Sequence, residues 1–548
     1  EIKIRITSKS KIPKSCSTFP LHMNTNPPLS LLPFIMALSL GVATYALADE
    51  KKIRGLLHNE DCTDFFAHRP LPAGGCAETL DRYLDVLADA HISALFCNVN
   101  ARRTNYRSDA WSAFWDGYDP EGPDDQTYFA AIPVENRKRW RMLVHNMWQT
   151  HHEGVDYPAH VISGCRRRKI SPWLSLRMND VHFNDNLDHP FHDPLWRRPE
   201  LFRKNHPGYF ARALDYAHPE VRDHFRKLIV ELLERYDPDG IELDFMREPY
   251  LFSAGEEKSG AATLTEWLGE IRGLVDAASE RRGHPIKLSV RVPSQPEIAA
   301  GLGLDAPAWA ERGLVDLVVA CPRWTTLHFD IPLRRWRELL GDQVSLAGGL
   351  ETRYQPGDGD FSRLVTPEHA AGAAMAVWSS GADALYLFNY FQNSHPKWAP
   401  DVYRQTLRAF GSPEEVSQLP RLHAVTRRGV TLPGESYRPP LPARGARAAF
   451  DLPLGPRPPA NWTGEVILAT GGDSKPRVSV NGVHAEWKSG QDGLQNYSLP
   501  LHSVSGDGGD RIEIVAAEGE EAFRVTRVEV RFAPPVTETS FQEARRNR

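Results

Sequence analysis

Two carboxylates two residues apart, Glu242 and Asp244, stand in the segment DPDGIELDFMREPY, where Ile241, Leu243 and Phe245 alternate with them. A period of two is strand geometry: the apolar set faces one side and the acids the other. Acids this close repel, so one of them should hold its proton unusually tightly or face an arginine such as Arg177 or Arg247. Glu351 ends a second apolar run, SLAGGLE, in which Gly348 and Gly349 allow a loop or ligand to approach closely. A pair such as Asp244 and Glu351, one a proton donor and the other a nucleophile or base, is the equipment of glycoside hydrolysis. Glu242, one layer deeper, is the third catalytic candidate. The competing reading is an internal carboxylate–arginine network that only stabilises the fold.

Such acids need a scaffold that brings distant segments together. Eight short apolar runs supply one: Ile53–His58, Ile92–Asn100, Ile170–Asn179, Gly240–Met246, Ile286–Pro293, Leu314–Pro322, Val344–Leu350 and Ala384–Asn389. Between them lie segments with apolar residues at helical spacing, such as His218–Tyr236 and Thr263–Arg282. Strand–helix alternation of this kind is the layout of a (β/α)8 TIM barrel, an α/β fold. No GxGxxG follows the first run, which disfavours an open doubly wound sheet. The insertions after the second and third runs should form loops over the barrel mouth.

Chemistry in such a barrel sits at the C-terminal strand ends. Every end here carries polar or charged groups, which are expensive to bury without a purpose. Besides the three acids, the expected substrate-binding residues are Asn98, Asn100, Arg177, Asn179, Asp180, Arg247, Arg291, Arg323, Trp324, Asn389 and Tyr390. His58, Glu60, Asp61, Arg102, Arg103 and Arg353 add to the same rim. Guanidinium groups recognise carboxylate or sulfate in a planar fork, so these arginines suggest an acidic or sulfated glycan. The plainer alternative is that they pair with Asp180, Glu242, Asp244 and Glu351.

The stretches ISPWLSLRMND, LDYAHPEVRDHF, DPDGIELDFMR, SLAGGLET and GADALYLFNY resemble the (β/α)8 domain of the loose family 10-like glycosyl hydrolase group of exported bacterial proteins. The resemblance covers about Asp49–Gly411 and implies a glycosidase acting on a poly- or oligosaccharide. The fourth run is also similar to the chitinase DGxDxDxE pattern, with Asp239, Glu242 and Asp244 at its first three acids. Met246 stands where that pattern has its catalytic Glu, so chitinase chemistry is not implied. A non-catalytic carbohydrate-binding barrel is the alternative.

The remaining residues bound these readings. The chain has 548 residues, 41% hydrophobic and 25% charged, with net charge −5, which excludes a largely disordered chain and gives no general footprint for nucleic acid. There is no HExxH and no HxH after the first run, so neither a metal nor another cofactor is expected; GxSxG and P-loop motifs are absent as well. His151-His152 reads as a solvated loop pair. Trp111 and Trp115 could stack on sugar rings or pack a helix. Six cysteines without a CxxC exclude a disulfide scaffold; Cys97 and Cys321 read as buried apolar groups, and Cys62 and Cys76 could pair.

Met23 opens a segment whose apolar stretch Leu29–Val42 precedes Ala46-Leu47-Ala48, a small-x-small cleavage signal. Residues 1–48 are therefore read as a leader with Met23 the expected start. That implies a secreted or periplasmic protein free of the membrane after cleavage. The barrel then spans 49–411. Residues 412–445, rich in Pro and Arg, read as a linker or wrap. Short alternating strands over 446–534, with turns at Gly471-Gly472-Asp473 and Asn481-Gly482, predict a small antiparallel β-sandwich, followed by a disordered tail at 535–548. With Trp462 and Trp487 its only tryptophans, the sandwich reads as a packing module more than a sugar binder.

Overall fold

The computed structural model describes residues 52–535, apart from 207, 324–325, 358–361, 392–397, 471, 473 and 507. The leader, the tail beyond residue 535 and Trp324 lie outside the described residues. Eight parallel strands close into a barrel: β1 (Gly55–Glu60), β2 (Ala94–Asn98), β3 (Ser171–Arg177), β4 (Gly240–Asp244), β5 (Lys287–Pro293), β6 (Leu317–Cys321), β7 (Ser345–Leu350) and β8 (Ala384–Phe388). The ring runs in chain order, with β8 closing on β1. Seven of the eight expected runs contain their strand, and β1 extends past the expected Ile53–His58 to Glu60.

Alternation along the strands sorts the side chains into two cores. Leu174, Leu176, Ile241, Leu243, Leu288 and Val290 face outward onto the helices. Leu57, Phe96, Trp173, Val319, Cys321 and Tyr386 pack inside the ring. The helices Pro219–Arg235 and Glu257–Arg282 bury one stripe each, as expected from their spacing. Register pairs Ser175, Glu242 and Ser289 on neighbouring strands, and one rung up Arg177, Asp244 and Arg291.

Gly348 and Gly349 do allow close approach, and what approaches is a helix residue, Val377, and the adjacent strand at Cys321. A Cβ at Gly348 would lie 2.7 Å from Val377, and one at Gly349 would lie 2.3 Å from Cys321 Sγ. Packing of a helix and of the adjacent strand demands these glycines. Gly349→Ala should therefore overpack the barrel and lower unfolding stability by about 1–3 kcal/mol, measurable in urea. An unchanged urea midpoint would contradict the tight Cys321 contact.

Residues after β2 and β3 wall the mouth. Trp111 and Trp115 lie there in irregular backbone, not in a helix, and both are buried. Trp111 stacks on His224 and donates Nε1–H to the His224 carbonyl, while Trp115 stacks on His151, so both are packing residues. His151 and His152 end the helix Val134–His152, which corrects the loop reading. Cys76, Cys97, Cys165 and Cys321 are free, buried thiols.

Past the barrel, antiparallel strands form a sandwich-like domain. Asn481 and Gly482 both take positive φ in the expected tight turn. Val483–Gln491 pairs with Arg477–Val480 at one end and Leu494–Leu499 at the other, with a register shift near Trp487. This strand lacks the alternating apolar signal because most of its side chains are exposed. Arg421–Ala424, inside the stretch read as a linker, pairs with Phe523–Ala533. Arg531 on that last strand forks onto Glu368 of a barrel helix at 2.8 and 2.9 Å, fixing the sandwich against the barrel.

Candidate active site

The deepest acid is Glu242, fully buried inside the ring. Its Oε1 accepts from Asn59 Nδ2 at 3.0 Å, Ser175 Oγ at 2.7 Å and Tyr386 OH at 2.9 Å. Its Oε2 has no hydrogen-bond partner among the described residues. Burial, reinforced by the neighbouring Asp244, pushes its carboxyl up to about 7.

One rung higher, a single guanidinium holds two acids together. Arg291 donates through Nη1 to both oxygens of Asp244 at 3.1 Å, and through Nη2 to Glu351 Oε1 at 3.2 Å. All three side chains are almost wholly buried, and the Arg291 guanidinium lies 3.7 Å from the Phe388 ring centre. Asp244 Oδ1 also accepts from the Met246 backbone N–H at 2.9 Å. Glu351 differs: its Oε2 has no hydrogen-bond partner among the described residues, and burial pushes its carboxyl up to about 8 although Arg291 opposes this. Burial thus favours its protonated form.

Nearer the surface, Asp180 is the hub of a second network. Its Oδ1 accepts from His182 Nδ1 at 2.9 Å and lies 3.3 Å from Arg102 Nη1, and its Oδ2 accepts from Arg177 at 3.2 Å. Burial alone would raise its carboxyl, but His182, Arg102 and Arg177 hold it well below the usual range. Arg247 Nη2 lies 2.9 Å from His182 Nε2, which fixes a neutral ring that donates from Nδ1 and accepts at Nε2. Burial keeps that imidazole neutral by lowering its proton affinity. Arg177 also pairs with Asp61 from the end of β1.

The other expected residues divide by what they bond. Asn100 and Asn179 each spend both ends of the amide on backbone groups, at Arg177 and Leu214 respectively, and act as loop clamps. Asn98 donates to the Ser175 carbonyl. Tyr390 is buried and donates to the Glu351 carbonyl, while Asn389 holds a positive φ and its Oδ1 has no hydrogen-bond partner among the described residues. Arg323 donates to Glu248 at 3.1 Å. Arg103 bonds the carbonyls of His192, Ala113 and Asp116, and Arg353 bonds Ser362, so neither joins the acids. The pairing alternative therefore holds for Arg291, on Asp244 and Glu351, and for Arg177, on Asp180, whereas Arg323 pairs with Glu248, an acid outside that set.

Glu248 was not singled out in the sequence. It is fully buried, its Oε1 has no hydrogen-bond partner among the described residues, and burial pushes it up to about 7, with Arg323 opposing. Its position just past β4, beside Arg247, was the available signal. Among the described residues, no cluster of His, Cys, Asp and Glu could hold a metal ion.

These acids set a pH dependence of stability. Glu242, Glu248 and Glu351 titrate at about 7 to 8 when folded, against about 4.3 in the unfolded chain. Between those values each of these acids binds more protons in the native state than in the unfolded one, so their share of the stability is lost as pH rises from about 4.5 to 8. Buried His58, His189, His192 and His224, drawn down to about 3 to 4 chiefly by burial, act in the opposite sense up to about pH 6.5. The stability advantage of wild type over Glu242→Gln should therefore shrink across the window, read as the difference between their two melting temperatures. A difference that grew with pH would contradict the assignment. Asp180 acts in the opposite sense, its contribution being lost only as pH falls below its ordinary range.

No protein-family model and no curated protein matches the chain. Among solved structures it is similar to a cycloisomaltooligosaccharide glucanotransferase from Paenibacillus sp., at 10% identity and TM-score 0.33, over 86% of this chain and 57% of that one. It is also similar to the PgaB (BpsB) glycoside hydrolase domain from Bordetella bronchiseptica, at 11% identity and TM-score 0.38, over 65% of this chain and 99% of that domain. A third is a noncanonic maltogenic alpha-amylase from Thermotoga neapolitana, at 9% identity and TM-score 0.37, over 86% and 98%. Each is a likeness of fold, and barrels of this kind host many unrelated chemistries.

Proposed function

We propose that the barrel mouth is a glycosidase centre in which Glu351 is the proton donor and Asp244 the partner carboxylate. The observation that carries this is one guanidinium shared by two acids in different surroundings. Asp244 has both oxygens occupied by Arg291, whereas Glu351 Oε2 has no hydrogen-bond partner among the described residues and burial pushes that carboxyl up to about 8. Environments that separate paired carboxyl groups in this way create the acid and anion roles of glycoside hydrolysis. Protonation of the leaving oxygen falls to Glu351. Asp244 then meets the positive charge developing at the anomeric carbon, as nucleophile, as base for water, or electrostatically. Glu242 lies one layer below and is a positioning residue, its carboxyl engaged by Asn59, Ser175 and Tyr386.

The substrate would be a poly- or oligosaccharide outside the cytoplasm, the export resting on the leader segment of residues 23–48. No helix among the described residues is long and apolar enough to cross a membrane. The test is hydrolysis of a glycan panel by the purified protein, with the anomeric configuration of the first product followed by NMR. Release of reducing ends from at least one glycan supports the proposal; no turnover of any panel member counts against it. One observation favours a non-catalytic binding barrel instead: both acids are about 1% exposed and tied to Arg291. That reading predicts saturable binding without turnover.

A further inference from the structure

A cavity of about 200 Å³ opens beside Asp180, lined by Arg102, Arg139, Arg177 and Arg247 against only Asp61 and Asp180 among the described acids. Trp140 and Phe183 form part of its wall, packed edge to face with ring centres 5.8 Å apart. Arg102 is 3% exposed, and its Nε has no hydrogen-bond partner among the described residues. The Nε of Arg247 also lacks one, lying 4.0 Å from Asp180 Oδ2. One carboxylate is thus shared by three guanidinium groups while its remaining lone pairs serve His182. A buried cation without its own counter-ion is costly, and burial together with Arg177 and Arg247 draws Arg102 down to about 10 even though Asp180 opposes this.

We propose that this cavity is a subsite for an anionic sugar, whose carboxylate or sulfate ester supplies the missing counter-charge to Arg102 and Arg247. The proposal rests on the glycosidase reading for the sugar and on the arginine excess for the charge. Guanidinium forks suit planar oxyanions, and flat aromatic walls suit the face of a sugar ring. Arg247 links the subsite to the acids, since its charge also acts on Glu351. Neutral sugars require no such concentration of guanidinium groups.

The test uses binding, so it does not depend on turnover. Full-length Glu351→Gln protein would be titrated calorimetrically with galacturonate, galactose 6-sulfate, galactose and inorganic sulfate, at low salt and in 0.5 M chloride. At least one anionic sugar should bind about tenfold or more tightly than galactose, as one charge-assisted hydrogen bond provides. Chloride should erode that preference. Comparison of the two anionic sugars identifies the group, carboxylate or sulfate. Arg247→Gln should abolish the preference and Arg247→Lys should retain part of it. Arg139→Gln, at an exposed rim position, should reduce only the salt dependence. Equal binding of galactose and both anionic sugars, no binding of any probe, or a preference that survives Arg247→Gln would each overturn the subsite. An anion preference sensitive to Arg247, in a wild-type protein that hydrolyses nothing, would keep the subsite and remove the glycosidase reading. Hydrolysis confined to neutral glycans without anion preference would do the reverse.

Discussion

Replacing Glu351 with Gln should lower turnover of a natural glycan by about 10²–10⁴-fold, the usual worth of a positioned proton donor. The amide keeps the size of the side chain and its acceptor oxygen toward Arg291, so the fold should persist. It removes the proton that burial retains to about pH 8. In wild-type protein the alkaline limb of the rate should therefore fall near pH 8, and in Glu351→Gln that limb should vanish. An aryl glycoside with a good leaving group needs no protonation, so the variant should recover much of its rate on such a substrate. Asp244→Asn should behave differently. It removes the anion that meets the developing positive charge, and activated leaving groups should not rescue it. If both variants turned over a confirmed substrate at the wild-type rate, the chemistry would lie elsewhere, with Glu248 the next group to replace. Loss confined to KM would instead indicate a binding role for these acids.

The barrel was legible because its signal is local. Strands β4 and β5 alternate apolar and polar residues over five to seven positions, which fixes both their conformation and which residues face inward. That inward set is how Glu242 and Asp244 emerge from sequence side by side, but the arginine facing them is Arg291, not Arg177 or Arg247, which lie against Asp180. Pairing was not legible, because it depends on the register between strands. Nothing in the order of residues says that Arg291 on β5 bridges β4 and the end of β7, or that Tyr386 on β8 reaches across to Glu242. Glu248 was missed since it follows the strand, outside the alternation. The cavity beside Asp180 draws Arg102 and Phe114 from one insertion and His182 and Phe191 from another. Irregular backbone carries no periodicity from which such convergence could be read. In the sandwich, Val483–Gln491 escaped for a related reason: an exposed strand leaves no apolar period.

Arg291→Met should be the most destabilising single change at the mouth, costing about 3–5 kcal/mol at neutral pH, in line with one charge removed from a buried ionic network. Methionine fills much the same volume, so the loss is chiefly electrostatic. Asp244 and Glu351 would remain buried without a cation between them, and Cys321 would lose the donor that lies 3.2 Å from its sulfur. The cost should depend on pH in a defined direction. Arg291 opposes the burial that raises Glu351, so without the guanidinium Glu351 binds its proton more tightly in the folded state, and the deficit relative to wild type should shrink in acid and grow toward pH 9. Adding Asp244→Asn to Arg291→Met removes a carboxylate left without its cation and should restore part of the lost stability, a non-additivity readable from urea melts as a double-mutant cycle. Arg291→Lys should recover little, because one ammonium cannot span both acids as the planar fork does. If Arg291→Met unfolded at the wild-type urea concentration at both pH 5 and pH 9, the two acids could not depend on Arg291 for their burial. The shared guanidinium would then be dispensable to the fold, and its retention would have to be explained by the reaction alone.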